Sequence, residues 1–347
     1  MSEAMERVRR QLGAAGLALT LSCAPALVLG QPASRPATPS GAGDVSRWLP
    51  RIQQAASTRT YQGTLMFSAG GVVSSSKVVH VCDGRQRFER IEVLDGRSRL
   101  QYRHNEQLVT LWPTARVAVL EDDEATTEFP SLPRVPAARL QEHYELKPLG
   151  ADRVAGHDAD VLLLKPRDEH RFAQRLWVER ETGLLLRGDV LGRQGEVLES
   201  SAFTDLRIGG RVQHEPIAAA MKRLDGYRVV KAGSVRADLE SEGWRLGRGV
   251  PGFQLVACSK RALDAAEPAA SQTLPVLQTV FSDGLSQVSV FVEPYDAQRH
   301  RQPMRTSLGA THTLMSRRGD WWVTVVGEVP LPTAQQFETL LERKPTR

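Results

Sequence analysis

From residue 61 to residue 206 the sequence is a succession of short apolar runs separated by turn residues, with only one short helical stretch among them. Asp83-Gly84 and Asp95-Gly96 each stand between two such runs. Asp-Gly is a strong hairpin signal because glycine adopts a positive φ without steric cost. Parallel strands need a crossover of a dozen or more residues, usually a helix. The sequence therefore predicts a mainly β, antiparallel fold.

The predicted elements fall into two groups. A helix is predicted from Asp44, although Pro50 stands within it, and a short helix at 139–144. Strands are predicted at 61–67, 77–82, 87–94, 99–104, 108–112, 116–121, 161–164, 175–179, 184–191 and 197–206 in the first group, and at 227–231, 253–259, 276–281, 287–292, 311–316 and 322–326 in the second. A final helix begins at Thr333, where Thr333 and Gln336 form a capping box.

The first residues indicate secretion. Arg7, Arg9 and Arg10 precede a mostly apolar, uncharged stretch at 12–22 that is too short to span a bilayer, and Ala24-Pro25-Ala26 supplies the small residues of a cleavage site. We predict a signal peptide at 1–26, a flexible tether rich in Pro, Ser, Ala and Gly at 27–43, and a periplasmic protein. A short uncleaved anchor is the alternative.

The length of 347 residues suggests about two domains. Gly209-Gly210 and Pro216 mark 209–220 as a linker between a domain at 44–208 and another at 221–347. Residues 27–220 carry 25 basic and 25 acidic side chains, whereas 221–347 carry 17 basic and 13 acidic ones. The excess of +4 would steer an acidic partner to the second domain, but it is too small to indicate nucleic acid.

Motifs for catalysis and for cofactor binding are missing from the sequence. It contains no zinc-protease, Cys-x-x-Cys, nucleophile-elbow or Walker motif. Gly247, Gly249 and Gly252 match a dinucleotide fingerprint, but Pro251 interrupts it and a strand follows where a helix is required. We therefore predict a protein that is no enzyme and uses no cofactor. Cys82 and Cys258 remain after signal cleavage, either as a disulfide or as two separate thiols.

Five short motifs occur in order along the chain: Tyr61–Thr64, His80–Gly96, Arg153–Trp177, Phe281–Glu293 and Gly309–Pro330. Together, and behind a signal peptide, they resemble the MucB/RseB family of periplasmic sigma-factor regulators. Phe67 and Phe172 depart from the family's pattern, which often has Tyr there. The resemblance implies a half-open antiparallel β-barrel covered by helices, as in lipoprotein carriers, followed by a smaller antiparallel sheet with a terminal helix.

The resemblance also implies a function. Such proteins bind the periplasmic domain of a transmembrane anti-sigma factor, protect it from regulated proteolysis and so restrain the envelope-stress sigma factor. Acyl chains of lipid or lipopolysaccharide, bound in the first domain, would be the release signal. A periplasmic lipid or lipoprotein carrier is the alternative, although a carrier has no need of the second domain. The sequence leaves a homo-oligomer open.

Candidate residues follow from strand positions and residue type. Apolar strand residues that could line a lipid cavity are Leu65, Phe67, Val79, Val81, Leu108 and Leu111. Aromatic and arginine side chains are the usual anchors of protein interfaces. Those of the second domain that could contact the anti-sigma factor are Phe291, Arg317, Arg318, Trp321 and Trp322.

Overall fold

The computed structural model describes residues 45–84, 86–122, 129–130, 132, 136–261, 275–300 and 302–344. The predicted signal peptide and tether lie outside these residues. Most of the described chain forms β-strands, and none of its helices has the length and apolar character needed to cross a membrane. The predicted mainly β fold is therefore confirmed, with a large sheet followed by a smaller one.

The large sheet contains twelve strands in the order β12-β6-β5-β4-β3-β2-β1-β11-β10-β9-β8-β7. Its edge strands do not pair with each other, so the sheet is open. The strands are β1 Tyr61–Ala69, β2 Val72–Cys82, β3 Arg87–Val93, β4 Leu100–His104, β5 Gln107–Trp112, β6 Val117–Asp122, β7 Tyr144–Val154, β8 His157–Pro166, β9 Ala173–Glu179, β10 Leu185–Leu191, β11 Val197–Ile208 and β12 Arg228–Lys231. The helices are α1 Val45–Thr58, α2 Ala137–His143 and α3 Glu215–Lys222.

The predicted Asp-Gly turns join β2 to β3 and β3 to β4. Gly84 and Gly96 have φ values of 89° and 71°, which only glycine adopts without strain. The expectation of a purely antiparallel sheet is wrong at one edge, because β12 pairs with β6 in parallel. Parallel pairing is possible here because the chain leaves β11 and returns to the far edge through α3.

The smaller sheet contains seven strands in the order β13-β15-β16-β17-β20-β19-β18. Its strands are β13 Ser234–Arg236, β15 Gln254–Arg261, β16 Val276–Ser282, β17 Gln287–Pro294, β18 Met304–Leu308, β19 Thr311–Arg318 and β20 Trp321–Glu328. Two short strands, β14 Trp244–Leu246 and β21 Leu341–Arg343, pair beside it. Helix α4, Leu331–Leu340, packs Ala334 and Phe337 against the apolar core of this sheet.

The predicted capping box at Thr333 is wrong. Helix α4 begins at Leu331, with Pro330 as the N-cap residue, and no side chain caps it. Pro332 suits the first turn because that turn has no use for its missing N–H. Thr333 therefore already lies inside the helix, and its buried hydroxyl has no hydrogen-bond partner among the described residues.

Cys82 and Cys258 are both free thiols. Cys82 ends β2 of the large sheet, whereas Cys258 lies on β15 of the smaller one. Of the two arrangements that the sequence left open, the structure has two separate thiols.

Candidate functional site

Neighbouring residues Trp321 and Trp322 point to opposite faces of the smaller sheet, as consecutive strand residues must. Trp321 packs against the core, where its ring meets Trp244 edge-on at 5.8 Å between centroids. Trp322 lies on the other face and stacks on His300 at 4.8 Å, with an angle of 9° between the rings. Trp322 is only 5% exposed, so it supports this face rather than projecting from it.

Three of the five predicted partner-binding residues, Phe291, Arg317 and Trp322, lie on the same face of the smaller sheet. Arg317 is the cross-strand partner of Trp322, and Glu293 is its partner on the other side. Phe291 lies two residues before Glu293 and therefore points the same way. The guanidinium of Arg317 sits 3.8 Å from the ring centroid of Tyr295, a cation–π contact. We call Phe291, Tyr295, Arg317 and Trp322 the outer patch.

The other two predicted residues, Arg318 and Trp321, lie on the opposite face. Arg318 donates a hydrogen bond to the carbonyl of Glu338 on α4. Trp321 contacts the guanidinium of Arg343, whose carbon lies 4.9 Å from the ring centroid. Both side chains are thus held by elements of the second domain itself, and they do not join the outer patch.

The six predicted cavity residues are divided between two faces of the large sheet. Leu65 packs against a cluster that includes Val78, whereas Val79 and Val81 belong to a cluster with Ile217 of α3. Val78 and Val79 are consecutive in β2 and must point to opposite faces. Leu111 joins the cluster of Val81, Leu108 lines a small polar recess with Glu89 and Arg103, and Phe67 is half-buried.

A cavity of about 570 Å³ opens between the large sheet and α3. Its lining is mostly apolar, with one carboxylate from Glu215, the first residue of α3, and one guanidinium from Arg223, the residue that follows α3. The lining residues are Leu100, Tyr102, Leu111, Glu215, Pro216, Ala219, Ala220, Arg223 and Tyr227. Of the six predicted residues only Leu111 lines it. Sequence reasoning missed the helical residues because it assigned 209–220 to a linker, although the run Ile217-Ala-Ala-Ala-Met is a fair helix former.

Two turns of the smaller sheet contact the large sheet. Asp283, in the turn between β16 and β17, accepts hydrogen bonds from Arg171 at 2.7 Å and from the hydroxyl of Tyr144 at 2.8 Å. In the turn between β18 and β19, the backbone N–H of Ala310 donates to Glu199 on β11 at 2.9 Å. Arg171, Asp283 and Glu199 are all at least nine-tenths buried.

Neither the outer patch nor the cavity contains a cluster of metal-ligating side chains among the described residues. No group of three or more His, Cys, Asp or Glu side chains that could hold a metal ion occurs among the described residues. The outer patch and the cavity offer apolar and aromatic contact area with a few charged groups. Such surfaces suit binding of a chain segment or of an apolar ligand.

Comparisons with known proteins agree with the two-sheet organisation. The model of the MucB/RseB N-terminal domain matches residues 44–221, and that of the C-terminal domain matches residues 238–342. The chain is 32% identical to the sigma factor AlgU regulatory protein MucB of Pseudomonas aeruginosa, over 89% of this chain and 94% of that protein. It is 23% identical to the sigma-E factor regulatory protein RseB of Haemophilus influenzae, over 83% and 88%.

Solved structures of MucB are also similar to this chain. A crystal structure of MucB in complex with MucA(peri) superposes with a TM-score of 0.65 at 28% identity, covering 87% of this chain and all of that one. A crystal structure of MucB superposes with a TM-score of 0.61 at 26% identity, covering 86% of this chain and 98% of that one.

Proposed function

Because this chain belongs to the MucB/RseB family, we propose that it binds the periplasmic domain of a transmembrane anti-sigma factor and thereby restrains an envelope-stress sigma factor. The observation that carries the proposal is its similarity, over nearly the whole length, to MucB as it is found in complex with MucA(peri). The chain then acts in the periplasm, as its predicted signal peptide suggests, and it acts by binding rather than by catalysis.

Restraint follows from occlusion. A protease needs an extended, accessible segment, and a segment held on a folded surface is neither. Bound protein therefore slows the first cleavage of the anti-sigma factor by lowering the fraction of accessible segment, in proportion to the occupancy of the complex.

We place the anti-sigma contact on the outer patch of the smaller sheet. Phe291 and Arg317 are the two predicted residues that remain partly accessible on this face, and Trp322 with Tyr295 forms the rigid support beneath them. Aromatic and arginine side chains carry most of the energy of interfaces. The charge of +4 on residues 221–347 would additionally speed the approach of an acidic segment.

The cavity beneath α3 is the proposed site for an acyl chain of lipid or lipopolysaccharide. Apolar burial is worth about 0.8 kcal/mol per CH₂ group, so even a chain of modest length gains useful affinity. Arg223 lies on the cavity lining, where it could pair with an anionic headgroup. Because the chain runs from α3 through β12 into the smaller sheet, filling the cavity would act on the segment that links the two sheets.

The cavity also supports the alternative, a periplasmic lipid or lipoprotein carrier. Two measurements with the anti-sigma domain, of binding and of protection from proteolysis, distinguish the two functions. Isothermal titration of the mature protein with the synthetic periplasmic domain of the anti-sigma factor should give a saturable one-to-one complex, and the complex should resist the site-one protease for longer than the free domain does. A protein that binds acyl probes but leaves the anti-sigma domain unbound and equally sensitive would be a carrier.

A further inference from the structure

A pair of carboxyl groups lies where the smaller sheet meets the large one. Glu199, on β11, is only 5% exposed. Its Oε1 accepts hydrogen bonds from the backbone N–H groups of Ala310 and Thr311, at 2.9 and 3.1 Å, and from the Thr311 hydroxyl at 3.0 Å. Three donors on one carboxylate oxygen stabilise a negative charge at Glu199.

The turn that supplies these donors is seated tightly on β11. Gly309 has a φ of 59°, and a Cβ atom there would lie 2.5 Å from Cγ of Glu199 and 2.7 Å from the carbonyl oxygen of Leu198. Only glycine fits this approach. The three hydrogen bonds therefore depend on the turn remaining against the large sheet.

Glu328 brings a second carboxyl group to the same place. It ends β20, opposite Thr311 of β19, whose backbone N–H and hydroxyl both donate to Glu199, so Glu199 and Glu328 are both neighbours of Thr311. Burial and the negative charge of Glu199 raise the pKa of Glu328 to about 7. Two neighbouring carboxyl groups can share a hydrogen bond only if one of them is protonated, and the raised pKa assigns this proton to Glu328.

We propose that Glu199 and Glu328 form a pH-sensitive clasp between the two sheets, closed while Glu328 is protonated and weakened when it ionises. In the closed form the Glu328 hydroxyl donates to the Glu199 carboxylate, a charge-assisted bond. In the ionised form two buried like charges face each other. Their repulsion decreases when the turn and β20 move away from β11. The buried Arg171–Asp283 contact would hold the sheets together elsewhere.

Among the described residues, the strand partners of Glu199 and Glu328 include no cation. The cross-strand neighbours of Glu199 are Ala69 and Val190. On β19 the next titratable group is His312, whose pKa burial lowers, so it is neutral near pH 7. Within the described part of the chain, Glu199 is the one charged group that shifts the pKa of Glu328.

The direction of the pH dependence follows from the pKa values. With the clasp open, Glu328 titrates near its ordinary value of 4.5, whereas in the closed clasp it titrates near 7. The closed form is therefore favoured most below about pH 4.5, loses stability as the pH rises, and loses no more above about pH 7. Between about pH 5.5 and pH 8.5 the opening equilibrium should increase roughly 30-fold.

Hydrogen exchange tests the proposal on the intact mature protein. After correction for intrinsic exchange rates, protection of the Ala310 and Thr311 amides should fall roughly 30-fold between about pH 5.5 and pH 8.5. In Glu328→Gln the amide group still donates to Glu199 but cannot ionise, so protection should stay high across the range. The exposed Glu181→Gln serves as the matched control and should retain the wild-type dependence.

Constant protection of these amides in the wild-type protein would overturn the clasp, whatever the variants do. An unchanged pH dependence in folded Glu328→Gln would overturn it too. If Glu328→Gln is misfolded by circular dichroism, infrared spectroscopy of the wild type decides: the carbonyl band of a protonated carboxyl group must be present at about pH 5.5 and vanish with a midpoint near 7. Absence of that band would refute a shared proton.

Discussion

Arg171 and Asp283 form an ion pair with no exposed side-chain surface on either partner, at 2.7 Å between Nε and Oδ2. Arg171 precedes β9 of the large sheet, and Asp283 lies in the turn between β16 and β17 of the smaller sheet. The remaining Asp283 oxygen accepts the N–H groups of Leu285 and Ser286, both at 2.8 Å. One carboxylate therefore shapes its own turn and also joins the two sheets.

Removing the arginine should be costly. Arg171→Met leaves Asp283 buried and unpaired, so we expect a loss of about 3–5 kcal/mol in the free energy of unfolding, measured by urea denaturation. Adding Asp283→Asn should recover part of that loss, because the amide keeps an oxygen for the turn and carries no charge. Arg180→Met, which breaks the exposed pair with Asp160, is the control and should cost less than about 1 kcal/mol. Equal losses from both single variants would contradict this account.

The outer patch predicts an affinity change without a change in fold. Phe291→Ala should weaken binding of the anti-sigma domain by about tenfold or more, since a truncated anchor typically costs 1–2 kcal/mol. Arg317→Ala should mainly lower the association rate at low salt. Val235→Ala is the control, because Val235 is 70% exposed and lies on the edge strand β13, away from the outer patch. If both patch variants bound the anti-sigma domain with wild-type affinity, the docking surface would have to lie elsewhere.

Trp322→Ala is a poorer probe of binding. Its ring is buried against His300, so truncation should cost about 3–5 kcal/mol of stability and alter affinity through the fold. Thermal unfolding would detect this loss directly. A fully stable Trp322→Ala protein that binds weakly would instead make Trp322 a direct contact.

Filling the cavity beneath α3 should block acyl binding. Ala219→Trp places a large side chain on the lining. We expect the affinity of this variant for a fluorescent fatty-acid probe to fall by about tenfold or more. Lys222→Trp, on the same helix but off the lining, is the matched control and should bind like the wild type. Unchanged probe affinity in Ala219→Trp would exclude this cavity as the site.

Buried His80 predicts a loss of stability in acid. Its Nδ1–H donates to the carbonyl of Arg59 at 2.8 Å, and no residue in the described part of the chain hydrogen-bonds its buried Nε2. Burial lowers the pKa of His80 from 6.5 to about 4. The stability that this group contributes is therefore complete above about pH 6.5 and is lost as the pH falls toward 4, by about 3 kcal/mol at most.

Urea midpoints across that range test the assignment. His80→Gln should show a shallower decline between about pH 6.5 and pH 4 than the wild type, whereas the half-exposed His170→Gln should follow the wild type. Parallel declines for His80→Gln and the wild type would show that another group is responsible.

The domain boundary gives a further prediction. We place the boundary between β12, which pairs with β6, and β13, which pairs with β15, rather than at the sequence-based linker 209–220. A fragment of residues 44–231 should then unfold at a higher urea concentration than one of residues 44–208, because it retains Ile217 and the rest of α3 over the sheet. Equal midpoints would favour the earlier boundary.

Local signals were sufficient for most of the fold. Asp-Gly turns and alternating apolar residues are short-range features, so hairpins such as β2–β3 could be read from the chain. Strand β7 was missed because Pro148 and Gly150 interrupt its pattern, and the structure accommodates them as a bulge opposite β8. Strand β18 was missed because all five of its residues are exposed and carry no apolar alternation.

The site required the tertiary structure. The sequence by itself determined the residue types, the antiparallel class and the alternation that separates Trp321 from Trp322, because these depend on neighbours in the chain. It could not place Phe291, Arg317 and Trp322 on one face, bring α3 over Leu111, or set Glu199 beside Glu328, 129 positions away. Those juxtapositions arise from strand order and from the docking of one sheet on another, which depend on long-range packing and leave no local pattern.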